Sequence, residues 1–168
     1  MKYALLFLTF LACIQMNAEN TPKNISTCTS IPDTVQLPKV FVIGDYETEY
    51  DLMTLKYPNS VLSACGDDVN QAFRLWMALL QDMQIFAEKT HFELNGAKFW
   101  LNTFFAKDGS IDYMAYYLKP NSRNISEKDM KTFLESFMSQ HKIAKNNKSG
   151  FAHYGHVSFP ILPENISN

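Results

Sequence analysis

His153 and His156 are the residues whose type most readily carries chemistry, since imidazole both ligates metals and exchanges protons near neutral pH. They lie three apart in a stretch from Gly150 to Phe159 that reads as extended. A strand sends i and i+3 to opposite faces, so one metal ion can hold both only if Gly155 makes a bulge. Zinc asks for three or four ligands at regular spacing, and His91 and His141 can join only if the fold brings them close, so no metal ligand set is expected. Asp67 and Asp68 are a carboxylate pair of the kind used in general acid/base work, but they stand directly before the longest apolar-periodic segment, where helix caps are needed. Ser63-Ala64-Cys65 lacks the flanking glycines of a nucleophile elbow. The six glycines are dispersed at turns, and none forms a phosphate loop. No catalytic residue and no cofactor is expected. A secreted hydrolase using His153, His156 and a carboxylate brought near by the fold stands as the alternative.

Binding is the stronger expectation, and it rests on Trp100, Tyr113 and Tyr117. Tyr and Trp combine a large apolar area with a polar tip, which suits a surface that stacks on sugar rings or receives a partner strand or helix. The competing reading is that the helix starting near Asp68 covers them.

The elements that must position these residues are legible from periodicity. Val40-Phe41-Val42-Ile43, stopped by Gly44, reads as a buried strand. Asp45 offers an N-cap for a short helix carrying Tyr46, Tyr50, Met53 and Tyr57, which Pro58 ends. The longest helix starts at Asp67 or Asp68, with Val69, Ala72, Phe73, Trp76, Leu80, Met83 and Ala87 on its apolar face. Leu75, Met77 and Ile85 on the opposite side predict cover from more than one direction. Asn95-Gly96 and Asp108-Gly109 then mark two hairpin turns. They predict a three-strand meander of Thr90 to Leu94, Ala97 to Ala106 and Ile111 to Leu118. In it Glu93 faces Lys98, Phe92 faces Phe99, Phe104 faces Tyr113, Trp100 faces Tyr117 and Leu101 faces Tyr116. One face would carry Phe99, Leu101, Phe105, Met114, Tyr116 and Leu118, and the other Trp100, Phe104, Ile111, Tyr113 and Tyr117. Such a sheet either sits between two helical layers or keeps an aromatic face for a partner. Ser126 to Asp129 reads as a capping box before a helix bearing Met130, Phe133, Leu134, Phe137 and His141. A last strand follows, with Phe151, Val157 and Phe159 on one side and Tyr154 on the other.

Met1-Lys2, the apolar run Tyr3 to Ile14 and the polar stretch ending at Ala18 predict a cleaved signal peptide. The run is short of the about 20 apolar residues a membrane-spanning helix needs, so no stable membrane insertion is expected and the protein is placed outside the cytosol, secreted or periplasmic. Phe10-Leu11-Ala12-Cys13 also resembles a lipobox, which would lipidate Cys13. Cleavage leaves Cys28 and Cys65, expected to pair in an oxidising compartment for roughly 4 kcal/mol in the chain-entropy model. Asn24, Asn124, Asn147 and Asn165 stand in Asn-x-Ser sequons, glycosylation acceptors if the protein is a eukaryotic secreted glycoprotein. A formal charge of −2 with scattered basic residues argues against nucleic acid. The expected organisation is residues 1–18 as signal, 19–38 as polar tail, 39–162 as one domain and 163–168 as C-terminal tail.

From Gly96 to Leu162 the order is strand, the turn Lys107-Asp108-Gly109-Ser110-Ile111, strand, amphipathic helix, and a closing strand ending Val157-Ser158-Phe159-Pro160-Ile161. This order resembles the C-terminal domain of TonB-type periplasmic proteins. The resemblance implies a bacterial envelope protein that works by docking. The expectation is thus an α+β domain, a small antiparallel sheet packed against two main helices. It would bind or assemble without catalysis, with an envelope protein or a glycan as partner.

Overall fold

The computed structural model describes residues 37–144 and 147–162. The expected signal peptide, Cys13, Asn24, Cys28, Asn165, most of the polar tail and the C-terminal tail lie outside these residues.

The domain is α+β, as expected. In chain order it runs β1 (Val40–Val42), α1 (Glu47–Lys56), β2 (Asn59–Ser60), α2 (Val61–Ala64), α3 (Val69–Lys89), β3 (Lys98–Phe105), β4 (Ile111–Leu118), α4 (Glu127–Gln140) and β5 (Phe151–Ser158). The sheet is mixed, with strand order β1-β4-β3-β5-β2. β3 lies antiparallel to both β4 and β5, while the short edges β1 and β2 pair parallel to β4 and β5.

The expected pairings Phe104 with Tyr113, Trp100 with Tyr117 and Leu101 with Tyr116 are present. The strand expected over Thr90 to Leu94 is absent, and with it the pairings of Glu93 with Lys98 and Phe92 with Phe99. The cause is the end of α3. His91 takes a left-handed φ of 55°, and the Phe92 amide donates to the Ala87 carbonyl at 2.8 Å. This is a Schellman closure with histidine where glycine is usual. Phe92 then stacks on Phe133 of α4, ring centroids 4.3 Å apart. Asn95-Gly96 does turn, with Gly96 at φ 81° and Ala97 donating to Leu94, but the strand that joins β3 is β5.

α3 and α4 cover one face of the sheet. Trp76, Leu79, Leu80, Met83 and Ala87 of α3, with Met130, Phe133, Leu134 and Phe137 of α4, share a core with Phe99, Leu101, Phe105, Met114 and Tyr116. Ile111 belongs here and not beside Tyr113. Asp112 is an extra residue opposite the Phe104–Phe105 step, a bulge that flips Ile111 to the helical face. The Tyr116 hydroxyl donates to the Glu127 carbonyl at 3.0 Å, and burial pushes its pKa up to about 12. Asp68 caps α3 by accepting from the Gln71 amide, and Ser126 caps α4 by accepting from the Asp129 amide. Of the residues behind the expected second side of cover on α3, Leu75 and Met77 are half-buried against the main core and Ile85 is exposed, while Val69 and Phe73, expected on the apolar face, are exposed.

α1 packs on the opposite face of the sheet and covers only part of it. Met53 of α1 and Tyr57, its C-cap, form a second core with Leu37, Phe41, Phe104 and Ala115, flanked by Tyr46, Tyr50, Tyr113 and Ala152. Its N-cap is Tyr46, without a side-chain bond, so Asp45 does not cap it.

Candidate functional site

The aromatic strand face is split by α1. Tyr113 falls beneath the helix, its ring 6.4 Å from that of Tyr57, and belongs to the second core. Trp100 and Tyr117 lie beyond the end of that cover, and α3 does not reach them because it occupies the other side of the sheet. Trp100 is half-buried and Tyr117 is 45% exposed.

Strand pairing brings further residues to the same place. β5 sets His156 directly opposite Trp100 and Tyr154 opposite Asn102. Tyr154, 54% exposed, lies parallel to the Trp100 ring with centroids 5.2 Å apart, and His156 meets the indole edge-on at 5.5 Å. The Lys119 ammonium sits 5.5 Å from the Trp100 centroid. Tyr117, Trp100 and His156 thus form a row across β4, β3 and β5, with Tyr154 stacked beside it. The His156 pKa is lowered by desolvation and by the charges of Lys119 and Lys98, which favours the neutral ring. The row carries aromatic and polar side chains and no aliphatic one.

Beside Tyr154 the surface falls into a hollow of about 480 Å³ between α1 and the sheet, with Asn102 in its wall. The Asn102 side-chain amide is buried, donates from Nδ2 to the Tyr50 hydroxyl at 2.7 Å, and leaves Oδ1 without a partner.

The titratable residues disperse. The register runs unbroken through Gly155, so His153 and His156 point to opposite faces. His153 packs on Trp76 of α3 at 4.3 Å, and burial lowers its pKa. Gly155 lets Trp76 approach, since a Cβ there would stand 3.0 Å from the indole. His141 stacks on Phe137, with Nδ1 3.7 Å from Asp82, and burial lowers its pKa against the opposing pull of that carboxylate. His91 ends α3. Among the described residues no group of three or more His, Cys, Asp or Glu is placed to hold a metal ion. Ser63 and Cys65 lie in and just after α2, where the Ser63 hydroxyl donates to the Ser60 carbonyl. Cys65 is buried in the main core. Of the sequons, Asn124 is exposed in the loop before α4 and Asn147 is half-buried.

Sequence reasoning reached Trp100 and Tyr117 and placed Tyr154 on the correct side of its strand. It missed the convergence of Tyr154, His156 and Asn102 with them, because that depends on β5 pairing with β3. The one local signal was the alternation Ala152, Tyr154, His156 against Phe151 and Val157. No family model matches the chain, and neither a curated protein nor a solved structure matches it.

Proposed function

We propose that the protein is an exported, non-catalytic binding module that holds a glycan across the uncovered end of its aromatic strand face. The observation that carries this reading is the stack of Trp100 on Tyr154, flanked by Tyr117 and His156, where α1 stops and α3 does not reach. Sugar rings present apolar C–H faces to aromatic rings and hydroxyls to polar tips, and this row supplies both. The edge strands Val40–Val42 and Asn59–Ser60 are short, and β5 beyond Ala152 has no strand on its outer side among the described residues, so addition of a partner strand there is the second reading. The resemblance of residues 96–162 to the TonB C-terminal domain adds an envelope setting to the same proposal.

The test is native affinity electrophoresis of the protein through gels containing laminarin, starch, xylan, mannan or pectin. At least one polysaccharide is expected to retard the protein. Trp100→Ala and Tyr154→Ala should each weaken that retardation about tenfold, the loss typical of a central aromatic contact. Retardation by none of the five, or retardation unchanged in both variants, removes the glycan reading.

A further inference from the structure

We infer that the hollow beside Tyr154 is a subsite for one neutral sugar ring, anchored by the Tyr50 hydroxyl, which the Asn102 side-chain amide holds in place. This rests on the glycan reading and deepens it. Tyr154 has two ring faces, and Trp100 packs against one of them. Along β5 and β3 the register carries the surface from the His156–Trp100 pair, through Tyr154–Asn102, to Ala152–Phe104. The hollow is lined by Asn102, Phe104 and Ala152, so it opens on the side of Tyr154 away from Trp100 and has the second ring face as a wall. At about 480 Å³ it falls within the range of small-molecule sites.

Its polar wall has unspent capacity. Asn102 is 8% exposed and its Oδ1 is enclosed, so the amide acts on the hollow through the hydrogen bond it donates to Tyr50. The Tyr50 hydroxyl accepts from Asn102 Nδ2 and, among the described residues, donates to nothing. A hydroxyl keeps a proton to give when it accepts, so the Tyr50 hydroxyl is an unused donor in the wall of the hollow. A hydroxyl of a sugar matches it by accepting from Tyr50. Thr54, Ser60 and Asn59 add neutral polar groups. No carboxylate, lysine or arginine lines the hollow, and its histidine, His153, stacks its ring on Trp76 beneath the other face. A charged ligand would find no counter-charge there.

The experiment is two-dimensional NMR of the isotope-labelled protein with glucose, galactose, mannose, fucose or N-acetylglucosamine at millimolar concentration, and with sodium glucuronate. At least one neutral sugar is expected to shift the Asn102 side-chain amide and the Tyr154 ring, and glucuronate to shift neither. Tyr50→Phe should weaken that sugar about fivefold, the worth of a lost hydrogen bond. Thr54→Trp, on the exposed surface of α1, should abolish the shifts by plugging the hollow without touching the core. The subsite is overturned if no neutral sugar moves Asn102, if the shifts survive Thr54→Trp, or if glucuronate acts equally. Polysaccharide retardation that persists through Trp100 in those cases leaves the glycan reading standing, and its loss as well removes both.

Discussion

Single residues in this protein act through what the register places beside them. Asn102 is a polar residue in a central strand, and nothing local in the sequence distinguishes it. Its character comes from α1 landing Tyr50 on its amide, a contact between positions far apart in the chain. Trp100 and Tyr117 were legible because strand alternation fixes the face of every residue once the Asp108-Gly109 turn sets the pairing. Ile111 was not, because one extra residue at Asp112 reverses the alternation. Gly150 offers a sharp test of local packing. A Cβ there would lie 2.7 Å from the Tyr57 ring and 3.2 Å from the Phe105 carbonyl oxygen, so something must move. Gly150→Ala is expected to lower stability by about 1–3 kcal/mol, the range of overpacking. Urea unfolding checks it, and an unchanged midpoint would show that Tyr57 gives way freely.

The elements were mostly readable from their ends. Asp68, Ser126 and Pro58 mark helix boundaries by chemistry that acts within a few residues, and the structure uses the two caps as expected. Replacing Ser126 by Ala should cost about 1 kcal/mol, seen as a lower denaturation midpoint at unchanged m-value. The unreadable junction was 90–97, where a good hairpin turn follows a helix that closes on a non-glycine residue. His91 pays a conformational cost in the left-handed region. His91→Gly is therefore expected to raise stability by up to about 1 kcal/mol, reduced by the greater freedom of glycine in the unfolded chain. Any loss of stability in that variant would mean that the imidazole makes a compensating contact.

At the scale of the molecule, one helical layer covers a whole sheet face and α1 covers part of the other. Composition could not decide this, because aromatic residues serve equally in a core and on a platform, and the decision depends on where a ten-residue helix comes to rest. The same layering governs acid sensitivity. His153 and His141 are held below their ordinary value of 6.5 mainly by burial. The unfolded chain therefore takes up protons first as pH falls. Stability is fully present above about pH 6.5 and declines below it, until the folded forms also titrate. Denaturation midpoints taken at about pH 7.5 and about pH 5.5 should fall with acid, and His153→Gln should flatten the slope.

The chain has two tryptophans, and Trp76 is buried while Trp100 stands at the open end of the strand face. A Trp76→Phe variant isolates the Trp100 emission. Acrylamide quenching of that emission, with and without the polysaccharide that retards the protein in gels, tests the binding face most directly. Trp100 is expected to be open to acrylamide in the free protein and protected when the polysaccharide is added. Quenching that is already blocked in the free protein, or that no polysaccharide changes, would contradict a glycan site on this face.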